Sequence, residues 1–226
     1  MGRVVRDGIP MLYHDETRTR EFWETQYATW ELPESRWMAR FCRKDRVSLD
    51  IGAWNGVHTL YLAHLSKHVY ALEPDPCAFQ DLRANVEANP VDNVTLLDVA
   101  LAERNGTALL GAQGRPLGRS GASILPTMTA GSDVMVRTVT FPALLADLRL
   151  EPTDMAFIKM NIEGAEALVI PMMAGFLRGF KGAINVSLHT HLIGPEGRDA
   201  VCGLLNTCLE MTEVGLWAHE SLVVNT

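Results

Sequence analysis

No run of the sequence approaches the roughly 20 apolar residues that span a bilayer as a helix, so a membrane-spanning helix is excluded as its organising feature. Cysteines are few, and Cys42, Cys77, Cys202 and Cys208 form no C-x-x-C pair and have no histidine-rich partner pattern. Neither a zinc site nor a disulfide framework is therefore expected. A basic surplus is also missing: 20 Lys and Arg against 27 Asp and Glu leave a formal charge of −7. That balance argues against a nucleic-acid partner, because phosphate binding needs a Lys/Arg surplus on at least one face. The one locally basic stretch, Arg36 to Arg46, carries apolar residues at helical spacing and reads as a solvated helix face. The first residues, Met1-Gly2-Arg3-Val4-Val5-Arg6-Asp7, lack the apolar core of a signal peptide, and Gly2 lacks the Ser or Thr at position 6 that acylation wants. A soluble, cytoplasmic protein with reduced thiols is the expectation, its oligomeric state unread.

What is present is a chain of 226 residues, 47% of them apolar, enough for one α/β domain with a sizeable core. Apolar runs alternate with amphipathic segments, the pattern of a mostly parallel sheet covered by helices. Strands are expected at Val47 to Ile51, Val69 to Glu73, Val94 to Val99, Met155 to Met160 and Ile184 to Leu188. Asp75 can cap a helix with Pro76 at its first position, ending near Asn89-Pro90. Residues 1–45 read as a helical, aromatic cap (Tyr13, Phe22, Trp23, Tyr27, Trp30, Trp37). Its aromatics pack in the core, or Trp30-Glu31-Leu32-Pro33 folds over a ligand. Residues 46–226 read as the Rossmann-like core, with an accessory hairpin and loop at about 106–141. There Val134 to Phe141 is expected to pair antiparallel with Ala108 to Leu110. The glycine-rich stretch from Gly111 to Ser123 reads as a loop or lid, whose Arg115 and Arg119 would suit a carboxylate or phosphate on a substrate. Val214 to Ala218 and Ser221 to Val224 read as a closing hairpin.

The chemistry concentrates in Asp50-Ile51-Gly52-Ala53-Trp54-Asn55-Gly56. An apolar strand ends in an acid and then glycines, so the backbone can turn sharply and approach a ligand without Cβ interference. Glu73 follows twenty-one residues beyond Gly52, where the ribose-binding acid of a βαβ unit belongs. The spacing D-x-G-x-x-x-G lacks the phosphate cradle of G-x-G-x-x-G, which disfavours a dinucleotide. Carboxylates and the ring of Trp54 suit instead the sulfonium of S-adenosylmethionine. Asp98, at the end of the third strand, could accept from an adenine amino group, with Ala100 beside it.

These residues resemble the FkbM-type methyltransferases, a class I S-adenosylmethionine-dependent family. The resemblance runs from Trp30 to His189 and rests on Trp30-Glu31-Leu32-Pro33, the glycine motif, Glu73-Pro74-Asp75-Pro76, Asn85 with Asn89, Gly121-Ala122-Ser123, Lys159-Met160-Asn161-Ile162-Glu163-Gly164-Ala165-Glu166 and Ser187-Leu188-His189. It implies a seven-stranded, mostly parallel sheet with one antiparallel edge strand, S-adenosylmethionine as cofactor, and methylation of hydroxyls on sugars or small molecules. The implied cofactor set is Glu31, Asp50, Gly52, Ala53, Trp54, Asn55, Gly56, Glu73, Pro74, Asp98 and Ala100. One departure stands out: Asn161 replaces the Asp common in the family, and an amide cannot act as a base.

Methyl transfer to a hydroxyl needs an aligned acceptor and a group that takes its proton. His189 is the expected general base, with His191 beside it if the strand continues; Asn161, Lys159 and Glu163 complete the catalytic set. Asn161, Glu163 and a histidine could hold magnesium, but magnesium prefers carboxylates and no metal is expected. N-methylation and non-catalytic cofactor binding remain open beside O-methylation.

Overall fold

A computed structural model of the protein describes residues 1–129, 133–209 and 221–225. The chain opens not on a helix but on a hairpin of β1 (Gly2–Arg6) and β2 (Ile9–Tyr13), paired Arg6 to Ile9. Its two-residue turn, Asp7-Gly8, has φ of 51° and 79°, the doubly left-handed turn that Asp-Gly favours because it matches strand twist. Two helices follow, α1 (Arg20–Thr25) and α2 (Leu32–Phe41).

The alternating core then begins: β3 (Val47–Ile51), α3 (Val57–Leu65), β4 (His68–Leu72), α4 (Pro76–Glu87) and β5 (Val94–Leu97). α4 starts as its sequence dictates, with Asp75 accepting from the amides of Cys77 (2.8 Å) and Ala78 (3.3 Å) and Pro76 at the first position. The third strand stops at Leu97, short of the expected Val99, because the chain leaves the sheet to form β6 (Ala100–Leu101). β6 joins β7 (Gly106–Leu110) and β8 (Val134–Val139) in a separate three-stranded sheet, β7 and β8 antiparallel with Leu110 opposite Val134. After α5 (Phe141–Leu148) come β9 (Met155–Met160), the short helices α6 (Glu166–Val169) and α7 (Ala174–Leu177), β10 (Ala183–Ser187), α8 (Thr190–Cys208) and β11 (Ser221–Asn225).

The main sheet has the order β11-β10-β9-β3-β4-β5, parallel throughout except for β11, which runs antiparallel at the edge. It holds six strands among the described residues where seven are expected; the strand expected at 214–218 lies outside them. Period-two alternation gives the sheet two different faces. Leu49, Ile51, Ile158, Met160, Ile184 and Val186 pack with Phe141, Val169 and Val201 in one core. Phe157 and Val69 pack in the other, against α3 and the aromatic cap. By the same alternation Asp50, Lys159 and Asn185, at matched register, lie on the cap's face.

The cap is stitched down by amides. The Asn89 side chain accepts from Leu12 N (2.9 Å) and donates to Leu12 O (2.7 Å), and Asn85 accepts from His14 N (2.8 Å) while donating to Asn55 O (2.9 Å). Buried Arg6 donates to Ser35 Oγ (2.7 Å) and Trp30 O (2.8 Å) and lies over the Tyr27 ring. Phe22, Trp23 and Tyr27 are buried, so the aromatic segment is core. Trp30 and the neighbouring Glu31 also line a cavity.

Candidate functional site

A cavity of about 820 Å3, part of it open to solvent, lies at the carboxyl ends of β3, β4 and β9, where open α/β sheets bind ligands. Its floor is the turn after β3. Gly52 has φ of 80°, and both Gly52 N (3.0 Å) and Ala53 N (2.9 Å) donate to Leu72 O. Trp54 is held left-handed, at φ of 50°, by donating its amide to Glu73 Oε2 (2.7 Å), while Glu73 Oε1 accepts from Asp75 N (2.8 Å). Glu73 is buried, and that burial pushes its carboxyl up to about 7 despite the two backbone donors. Each of its oxygens keeps a lone pair for a further donor.

Two acid–base pairs adjoin the floor. Lys159 Nζ lies 3.1 Å from Asp50 Oδ1 and also donates to Gly52 O, while Thr59 donates to Asp50 Oδ2 at 2.6 Å. The costly buried ammonium is thus paired within the wall itself. Glu31, the left-handed N-cap of α2 (φ 43°), places Oε2 3.3 Å from His58 Nε2, near but not aligned as a hydrogen bond. Burial pushes Glu31 up to about 7 and, with the Lys159 and Arg6 charges, holds His58 well below its ordinary value.

The raised Glu31 carboxyl has a consequence for stability. Its contribution is fully present below about 4.5, the ordinary value, and is lost as pH rises through about 7, since the folded state then buries a charge. Glu31→Gln is therefore expected to leave the ligand-free protein's stability unchanged near pH 4.5 and to raise it by about 3 kcal/mol at pH 8. Urea denaturation at the two pH values checks this; an equal offset at both would refute it.

The far wall is the glycine-rich loop. Asp75 Oδ2 accepts from Gly118 N (2.6 Å), Trp54 Nε1 donates to Gly118 O (3.1 Å), Arg115 donates to Gly121 O (3.1 Å), and Ser123 Oγ donates to Ile162 O (3.3 Å). Residues 119–124 line the cavity with Arg119 at its rim, and Arg115 is occupied by loop carbonyls.

After β9 the chain turns through Asn161, Glu163 (φ 53°) and Gly164 (φ 91°). Asn161 Oδ1 is buried with no hydrogen-bond partner. Glu163 lines the cavity and meets His189 Nε2 through Oε2 at 3.3 Å; His189 Nδ1 meets Glu166 Oε1 at 3.1 Å, and that oxygen also accepts from Ile162 N (2.8 Å). Partial burial alone would lower the His189 pKa, but the two carboxylates outweigh it and raise it to about 10, while Glu163 is held below its ordinary value despite burial.

Of the candidates read from sequence, the structure brings Glu31, Gly52, Ala53, Trp54, Glu73 and Pro74 to the cavity, and with them Ala100, Lys159, Asn161 and Glu163. Asp50, Asn55 and Gly56 stand behind it: Asp50 holds Lys159, Asn55 accepts from Val57 N (3.1 Å), and Gly56 turns at φ of 87° into α3. Asp98 does not line it; exposed beyond the end of β5, it pairs with Arg137 at 3.2 Å. His189 does not line it either. It begins α8 rather than ending a strand, so His191 follows in the helix and strand alternation does not apply. Both His189 nitrogens face carboxylates, and an imidazolium with no free lone pair cannot take a proton, which removes the basis for reading it as the base. Sequence reasoning missed His58 and Arg6. His58 sits in a helix apolar on all sides, where nothing singles it out. Among the described residues no group of three or more His, Cys, Asp or Glu is placed to hold a metal ion, and no helix is long and apolar enough to cross a membrane.

With this geometry in place, residues 50–198, more than half the chain, match the methyltransferase FkbM domain. The chain belongs to the FkbM methyltransferase family. Membership carries S-adenosylmethionine as the methyl donor. Among solved structures, a methyltransferase FkbM from Methylobacillus flagellatus KT is similar at 18% identity and a TM-score of 0.53, covering 80% of this chain and 44% of that one. This FkbM-family chain therefore spans less than half the length of that protein. An rRNA methylase from Streptococcus thermophilus (13% identity, TM-score 0.52, 85% of this chain and 92% of that one) and a putative rRNA-methylase from Clostridium thermocellum (14%, 0.52, 85% and 91%) share the fold.

Proposed function

We propose that this methyltransferase transfers the methyl group of S-adenosylmethionine to a hydroxyl of a sugar or other small metabolite in the cytoplasm. The observation that carries the reading is a pair of carboxylates, Glu73 buried and Glu31 half-buried, on two walls of a glycine-floored cavity. Such walls fit a cationic nucleoside: Glu73 for the ribose hydroxyls, the turn from Gly52 to Gly56 for close backbone approach, Glu31 for the amino-acid end. The adenine wall falls to Val99, Ala100 and Leu101 rather than to Asp98. Bound there, the cofactor supplies an electrophilic methyl on sulfur.

The acceptor side is Asn161, Glu163 and the loop. Asn161 Oδ1, buried without a partner, offers an acceptor to an incoming donor group. Glu163 is the carboxylate facing the cavity there, kept ionised by His189 and available to take a hydroxyl proton. Lys159 acts through Asp50 and the Gly52 carbonyl, fixing the floor. His189 positions Glu163. The need for a base favours a hydroxyl over an amine, and the net charge of −7 favours a small acceptor over nucleic acid.

Glu73→Ala is expected to weaken S-adenosylmethionine binding by about 1.5–3 kcal/mol, the worth of hydrogen bonds to a charged group. It also frees the amides of Trp54 and Asp75, so a loss in melting temperature should accompany it. Titration calorimetry decides: unchanged affinity removes the nucleoside assignment. Mass shifts of candidate hydroxyl and amine acceptors then separate O- from N-methylation.

A further inference from the structure

Most charged groups on the cap's face of the sheet are matched inside the protein. Asp50 has Lys159 and Thr59, and Arg6 has Ser35, Trp30 O and the Tyr27 ring. Glu31 differs. It is held in a left-handed backbone that an L residue adopts at a cost, which marks a constrained position. Its carboxylate lines the cavity, and its close partner there is an imidazole from α3 buried to 2% exposure. The groups around it are Glu34 on its own helix, His58 of α3, Asp50 of β3, Lys159 of β9 and Arg6 of β1. Lys159, the cation that acts most strongly on it, is already committed to Asp50 and the Gly52 carbonyl. A half-buried carboxyl beside a buried neutral imidazole, facing a cavity, is arranged to carry a proton in the absence of a cation and to lose it when a cation arrives.

We propose that Glu31 and His58 form a cation receptor whose occupation expels a proton, with the buried imidazole of His58, 3.3 Å from Glu31 Oε2, as the positioning residue beside the carboxyl. This rests on the cofactor reading, since the entering cation is the ammonium end of S-adenosylmethionine. The proton balance is simple: without a bound cation the Glu31 carboxyl carries a proton, and on binding that proton passes to solvent, leaving a carboxylate against the cation and a neutral imidazole beside it. The raised Glu31 value, about 7, puts the exchange in the neutral range, and the depressed His58 value keeps the proton off the ring.

The test is calorimetric titration of the full chain with S-adenosylmethionine at pH 7, in buffers of low and high ionisation enthalpy, with the affinity also followed from pH 6 to pH 8. The native chain should release a fraction of a proton per cofactor, and its affinity should rise about tenfold over that range, the linkage of a single group. Glu31→Gln should flatten the profile and abolish the release. His58→Leu should shift the midpoint of the profile, whereas His58→Gln, which keeps a hydrogen-bonding group at that place, should restore it. Thermal melts confirm that each variant is folded, and His58→Phe, closer in shape to the imidazole, serves in place of His58→Leu if that variant is not. Glu73→Gln separates the other raised carboxyl: release that survives Glu31→Gln but vanishes in Glu73→Gln overturns the proposal. Binding without proton release in the native chain overturns it while sparing the cofactor reading. No binding heat at any pH overturns both.

Discussion

Gly52→Ala is expected to abolish cofactor binding and to lower the melting temperature by about 6–12 °C. A Cβ at this position would lie 1.9 Å from the Asn161 carbonyl oxygen and 2.9 Å from its carbon. Those are backbone atoms of the neighbouring strand end and cannot rotate away. The left-handed φ of 80° adds about 1–2 kcal/mol for any L residue. Relief requires β3 and β9 to separate where Asn161 N donates to Ile51 O (3.0 Å), and that moves Lys159 off the Gly52 carbonyl. A total near 3 kcal/mol gives the stated shift for a domain of this size. Scanning calorimetry and cofactor titration check both parts; native-like affinity in a folded variant would show that the turn does not carry the ligand.

His189→Ala should be larger still in stability, at about 3–5 kcal/mol, because it leaves Glu163 and the fully buried Glu166 without the cation between them. The sign of its pH dependence follows from a folded value raised to about 10 from an ordinary 6.5. The stabilisation is fully present below about pH 6.5 and is lost as pH rises through about 10. The gap between native and variant in urea denaturation should therefore be widest at pH 6 and close towards pH 10. A general base would behave differently: the variant would keep its stability and lose turnover, and the native rate would show a limb between pH 6 and 8. Equal stability of variant and native at pH 6 would restore His189 as a candidate base.

The parallel sheet, the accessory strand pair and the glycine turn were legible because apolar runs and turn chemistry are local. Asp75-Pro76 could be read as a helix start from two adjacent residues, and α4 begins there. The hairpin of β1 and β2 was missed although Asp7-Gly8 signals it, since its strands are five residues each and Val5 is exposed. Asp98 was placed by analogy with a strand end, but direction after a strand depends on where the chain goes next, and β6 takes it away from the cavity. The role of His189 depends on two carboxylates, 23 and 26 residues earlier, that only tertiary folding brings to its two nitrogens. His58 was invisible for the converse reason: its helix is apolar all round, so burial hid the residue that faces Glu31.

The docking of α2 on β9 and β10 has a bearing on biosynthesis. α2 is synthesised well before the strands it docks on, so Met38, buried to 0% exposure in the finished protein, has no complete partner surface until β9 and β10 are made. Slow synthesis or a truncated transcript would leave that face of α2 exposed to other nascent chains, and the expected failure of this protein in a cell is aggregation through α2 rather than misfolding of the sheet.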